Sequence, residues 1–279
     1  MLRILKALIE GLDIAVYSYV KPGAPHRFST HYLDLHSMVR LLTEAIETYA
    51  KAINSGFAVA EGRLGLDKVG LGGLIYDAFS YTARIPAPME FKGLHLILIP
   101  IVVASSYSYK MEGKSPNFIS RLNRGMKDIL LYTDVNEVIR IYEALKSYGG
   151  PYTELLTNLA ITRGRIESES MNLLDFYGEL GKGDKVIGFF SRKYYIISRL
   201  AQKYVELYIR SRDHNVAARE VFSDIALELM NVKVPVRMSS LNDLINLLKV
   251  DRELLKKGVN LSGTIPILTS VAFIANLMI

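Results

Sequence analysis

An all-α fold is predicted by three features of the sequence. Apolar residues recur at helical spacing, residues that start and stop helices flank those runs, and no series of alternating strands appears. The 279 residues, half of them hydrophobic, are enough for a single large helical domain spanning residues 1–279. A core wrapped by about ten or more helices is expected.

The segment Met1-Leu2-Arg3-Ile4-Leu5-Lys6 opens an amphipathic helix. Glu10 and Asp13 follow too soon for the clean apolar stretch of a signal peptide. Between residues 35 and 53, Met38, Leu41, Leu42, Ala45, Ile46 and Tyr49 keep helical spacing, with Asp34 placed to cap the first turn. Residues 62–73 contain five glycines. They lack the preceding strand and the Gly-Lys-Ser/Thr ending of a phosphate loop, so a turn or a tight helix contact is expected.

Leu94 to Ala104 is the longest apolar run before the C-terminus. It carries His95 and Pro100 and is about half the length that spans a bilayer. Val135, Val138, Ile139, Tyr142 and Leu145 form one helical stripe. Asp134 should cap it, with Glu137 as the reciprocal partner, and Gly149-Gly150-Pro151 should end it. Residues 186–209 read as one or two long helices, and further helices are expected over 216–230, 241–248 and 264 to the end. The last, with Pro266, Thr269, Ser270 and Asn276, is read as a buried terminal helix and not as a membrane anchor.

Turns are expected at 21–29, 84–88, 113–117, 178–184 and 231–237. Residues 232–236 suggest a short extended piece that Pro235 keeps out of any central strand.

The chain has no cysteine. That excludes disulfides, thiolate zinc sites, iron–sulfur clusters and a cysteine nucleophile, and it accords with a reducing cytoplasm. The net charge of +6 could favour anionic ligands, or could be a mildly basic surface. Nucleic acid is not an expected partner, because no Lys/Arg run is interleaved with aromatic residues. His26, His31 and His36 are five apart, which on a helix leaves successive rings about 140° apart. They also straddle a turn, so no metal cluster is expected.

The most informative segment is Val20-Lys21-Pro22-Gly23-Ala24-Pro25-His26-Arg27-Phe28-Ser29. It joins a rigid turn to three side chains that can contact phosphate or ribose (Lys21, His26 and Arg27), and Ser29 adds a hydroxyl. The plainer reading is a helix connection whose basic residues are solvated.

This segment resembles the Pro-Lys-Pro-Gly-x-x-x-Arg signature of the triphosphoribosyl-dephospho-CoA synthase family, and its continuation into Arg-Phe-Ser resembles the archaeal branch. Further similarities follow in order. They are Tyr142-Glu143-Ala144-Leu145-Lys146 with Gly149-Gly150, then Asn172-Leu173-Leu174-Asp175, Ala218-Arg219-Glu220-Val221, and Gly263-Thr264. The departures are specific. Val20 replaces the first proline, and Ala15 stands where a glutamate is usual. Met89-Glu90 replaces Asn-Thr, Ile267 replaces an aspartate, and Ile209-Arg210-Ser211-Arg212 lacks the preceding Asp-Thr.

The resemblance implies a cytoplasmic transferase that moves the triphosphoribosyl group of ATP to 3′-dephospho-CoA with release of adenine. It also implies Mg²⁺ and small-molecule partners of the nucleotide and CoA type. The short apolar runs argue against a membrane partner, and a homodimer is left open. Lys21, Gly23, Arg27 and Ser29, backed by Lys92 and Arg212, would bind the nucleotide. Asp175 would supply the carboxylate near the anomeric carbon, unless it pairs with a helix cation, and His26 an acid. Lys21, Arg27 and Asp175 should then converge on one pocket. The lost polar positions motivate the alternative of a catalytically degenerate helical relative that binds a nucleotide or a protein.

Overall fold

The computed structural model describes residues 1–29, 35–236 and 238–279, the side chain of Glu90 excepted. The chain is all-α, and no β-strand occurs among the described residues. Its first half holds α1 (Leu2–Tyr17), α2 (Leu35–Glu44), α3 (Ile46–Ala60), α4 (Leu71–Thr82), α5 (Met89–Lys92), α6 (Leu94–Glu112) and α7 (Asn117–Tyr132). There follow α8 (Val135–Tyr148), α9 (Pro151–Asn158), α10 (Arg163–Ser168) and α11 (Leu173–Leu180). Last come α12 (Lys185–Ser211), α13 (His214–Met230), α14 (Leu241–Lys256) and α15 (Thr264–Met278).

Two of these helices are apolar around nearly their whole circumference, and such helices belong at a centre. In α6 every residue from Leu94 to Ser106 is buried. In α15 every residue from Thr264 to Ala275 is buried. α15 packs on α1, α12, α13 and α6, while α6 also packs on α3, α7 and α4. By length and composition α6 could cross a membrane, yet its apolar run is enclosed by neighbouring helices. The polar residues of α15 are absorbed locally: Thr269 Oγ1 donates to the Ile265 carbonyl and Ser270 Oγ to that of Pro266.

Pro100 sits inside α6 and has no N–H, so the Leu96 carbonyl lacks its helical donor. The Tyr177 hydroxyl of α11 donates to that carbonyl at 2.6 Å. One turn earlier, His95 is fully buried. Thr82 Oγ1 donates to the Ala78 carbonyl and therefore accepts from His95 Nε2 at 3.2 Å. Nδ1 is then the acceptor for the Tyr49 hydroxyl, at 2.9 Å. Burial, with Lys92 as a lesser cause, lowers the imidazole pKa to about 3. His95 is thus a neutral link between three core helices.

Several expectations are refined. The run 35–53 breaks at Ala45 into α2 and α3. α12 is continuous in hydrogen bonding but kinks at Lys193, where φ is −135°. α14 extends past Leu248 to Lys256. Asp134 caps α8 by accepting from the amides of Asn136 and Glu137. Glu137 does not return that bond. Its Oε2 accepts from the Gly72 amide of α4 instead, at 2.5 Å. The glycine-rich segment holds both expected features: a Cβ at Gly72 would collide with the Glu137 carbonyl, whereas Gly62 and Gly70 are turn positions, each at φ +70°.

Gly150 takes the left-handed step that ends α8, at φ +60°, and Pro151 opens α9. Residues 232–236 run extended without strand pairing, held by Ser223 Oγ donating to the Val234 carbonyl. Asp34, His31 and Arg237, named from the sequence, lie outside the described residues.

Candidate functional site: the corner after α1

α1 stops where Ser18 turns extended, at φ −56° and ψ 159°. Four residues later the chain reverses. The Ala24 amide donates to the Lys21 carbonyl at 2.9 Å, with Pro22 and Gly23 between them and Gly23 at φ +79°. Proline then glycine at the centre of a four-residue turn is the type II pattern, because the second position needs a positive φ.

The two cations of this corner face the end of α1. Lys21 is fully buried, and its Nζ donates to the Ser18 carbonyl at 3.2 Å and to Ser18 Oγ at 2.9 Å. Burial, with the Arg27 charge as the lesser cause, lowers its pKa to about 7. Arg27 Nε donates to the Tyr17 carbonyl at 2.8 Å. Both side chains therefore serve carbonyls that the helix leaves unsatisfied, at the end that favours positive charge.

Asp251 of α14 enters from the far end of the sequence. Its Oδ1 accepts from the Gly23 amide at 2.8 Å, and its Oδ2 lies 3.5 Å from His26 Nε2. Next to α14, the Leu261 amide donates to the Gly23 carbonyl at 2.7 Å. His26 Nδ1 accepts from the Phe28 amide at 3.1 Å, which puts the proton of a neutral ring on Nε2, facing Asp251. Ser29 Oγ accepts from the His26 amide at 2.9 Å.

The outer face of the corner is an aromatic and cationic ledge. The Tyr19 and Phe28 rings stack at 6.1 Å and 6°, and the Arg27 guanidinium lies 5.0 Å from the Tyr19 ring centroid. The Tyr19 amide donates to Asn215 Oδ1 of α13 at 3.1 Å, which fixes the ledge to the body. Phe28 is 43% exposed.

Lys21, Gly23, His26, Arg27 and Ser29 thus share one place. The other expected residues do not join them. Asp175 is exposed in the first turn of α11, where it forms a capping box with Asn172. Its Oδ2 accepts from the Asn172 amide at 3.3 Å. The capping box is the contact Asp175 makes, and among the described residues it meets neither Lys21 nor a helix cation. Lys92 is nearly buried at α5, reaching towards the Ala83 carbonyl at 3.5 Å, with its pKa lowered by desolvation. Arg212 is the left-handed C-cap residue of α12 at φ +54°.

The carboxylate that does reach the corner, Asp251, was missed from the sequence. One signal was available: Leu244, Leu247, Asp251 and Leu254 share helical spacing, so an acid occupies an apolar stripe.

Among the described residues no three His, Asp or Glu side chains gather to hold a metal ion. Asp251, whose two oxygens face Gly23 and His26, is a carboxylate at this corner, so an Mg²⁺ of the kind the resemblance implies would be held mainly by polyphosphate oxygens. Ala15 and Ile267, which stand where the resembled family carries a glutamate and an aspartate, are fully buried. No protein-family model, no curated protein and no solved structure matches the chain.

Proposed function

We propose that the chain is an ATP-dependent transferase of the triphosphoribosyl-dephospho-CoA synthase type, with the Val20–Ser29 corner as the polyphosphate end of its site. One observation carries this reading: the turn gathers Lys21, His26, Arg27 and Ser29 with a buried carboxylate. Arg27 Nε is engaged with the helix end, and its remaining guanidinium donors take no partner among the described residues, so they suit a phosphate. The exposed Phe28 ring offers a flat apolar surface for a base. An entering phosphate would favour the charged form of Lys21, whose pKa burial lowers to about 7.

In the reaction the 2′-hydroxyl of dephospho-CoA would bond to C1′ of the ATP ribose as the C1′–adenine bond breaks. The hydroxyl proton would leave with adenine. His26 is not placed to deliver that proton, since Nδ1 accepts the Phe28 amide and Nε2 faces Asp251. Incubation with ATP, 3′-dephospho-CoA and Mg²⁺ or Mn²⁺ should release adenine, read by chromatography. Arg27→Ala should weaken ATP binding by roughly tenfold, the worth of about one charge-assisted bond. No adenine with either metal would overturn the transferase reading.

A second reading is favoured by the two cations that serve the end of α1 and by the buried Ala15 and Ile267. In it the corner caps a helix, and the chain is a non-catalytic helical relative. Calorimetry separates the two: ATP binding without adenine release supports the second, and turnover excludes it.

A further inference from the structure

Asp251 and His26 meet with a mismatch. Both are almost fully buried, yet the 3.5 Å between Asp251 Oδ2 and His26 Nε2 exceeds a hydrogen bond. His26 Nε2 is left as a buried donor with no hydrogen-bond partner. Such orphans are rare, because each costs the desolvation of a polar group without replacement. The Gly23 amide points at the same carboxylate and does bond to it. Two donors therefore face one place, and Asp251 satisfies only the first.

The helix that delivers Asp251 has a shallow seat. Of the sixteen residues of α14, only Leu247 and Asp251 are buried. Leu241 and Ile245 are 71% and 42% exposed. Elements with so little buried apolar surface open at low cost.

We propose that the Gly23–His26 turn is an oxyanion-binding site that the chain's own Asp251 keeps closed, and that α14 swings away when a phosphate group enters. This deepens the polyphosphate reading above and rests on it for the identity of the ligand. A tetrahedral oxyanion is free to approach both donors at hydrogen-bond length, whereas a carboxylate fixed to a helix holds one and misses the other. Lys21 and Arg27 lie in the same corner and add attraction for the anion.

The test is calorimetry of the full chain with tripolyphosphate, comparing wild type with Asp251→Ala and Asp251→Asn. If Asp251 competes for the site, its removal should tighten binding roughly tenfold or more, because the closed fraction no longer subtracts from affinity. Asp251→Asn keeps an acceptor for Gly23 and so covers the case in which the alanine variant fails to fold. It should show a smaller gain of the same sign. In wild type, saturating tripolyphosphate should speed hydrogen exchange across 241–256.

Equal affinity in all three proteins, no binding by any of them, or unchanged exchange in α14 under saturation would each overturn the proposal. The two readings fail separately. Asp251-gated binding without adenine release sinks the transferase alone. Adenine release with ungated binding sinks only the closure by α14.

Discussion

Replacing Tyr177 by phenylalanine removes one oxygen atom and should destabilise the fold by about 1–3 kcal/mol. The magnitude comes from what the hydroxyl does. It donates at 2.6 Å to the Leu96 carbonyl, which Pro100 deprives of its helical donor. Both groups are in the core, and burial pushes the phenol pKa up well above its ordinary range. Without the hydroxyl a buried carbonyl has lost its donor, so the cost is the full desolvation of that group and not the smaller net value of an exchanged bond.

A double-mutant cycle isolates this cause. Pro100→Ala restores an amide at position 100 that can donate to Leu96. In that background Tyr177→Phe should cost about 0.5–1 kcal/mol, which leaves a coupling of about 1–2 kcal/mol. Urea unfolding followed by circular dichroism reads each corner of the cycle, provided the slopes agree. Equal costs for Tyr177→Phe in both backgrounds would refute the reasoning, as would a silent Tyr177→Phe.

Gly56→Ala should destabilise by about 1–3 kcal/mol by forcing α3 off α6. The new Cβ would lie 2.5 Å from the Val103 carbonyl oxygen and 2.7 Å from Ser106 Cβ, and a thermal midpoint equal to wild type would contradict this. Asp184→Ala should cost about 2–3 kcal/mol in urea unfolding, because the side chain caps α12 and also accepts from the Tyr152 hydroxyl at 2.6 Å. Lys21 makes stability depend on pH. The unfolded chain holds its proton up to about 10.5, whereas the folded chain releases it at about 7. The unfolded state therefore binds more protons in that window, and stability rises with pH across it. Between pH 7 and 9 the wild type should gain on the order of 2 kcal/mol relative to Lys21→Met. Parallel pH profiles for the two proteins would remove the buried-lysine explanation.

Helix positions were legible from the sequence because they depend on spacing within a few turns. The stripe of α8 and its Asp134 cap are local features and formed as read. So is the Lys21–Ala24 turn, whose Pro-Gly centre dictates its geometry. Glu137 shows the limit. Its spacing suits a capping box, but the carboxylate turned to the Gly72 amide, 65 residues away in sequence. Asp175 shows the reverse: the motif suggested a site carboxylate, and the local cap of α11 claimed it.

By itself the sequence determined that the chain is all-α, where its apolar runs lie and that a rigid turn follows α1. Those properties follow from side-chain periodicity and local backbone chemistry. The tertiary structure alone decided which acid faces the corner. Asp251 and Gly23 are 228 residues apart, and no local rule links them. Their meeting depends on the path of α14 and α15 across the folded body, which is set by packing among many helices at once. The contacts of Lys21 and Arg27 with the end of α1 are local by contrast, 3 and 10 residues apart in sequence, because helix carbonyls that lose their internal partners take the nearest donors.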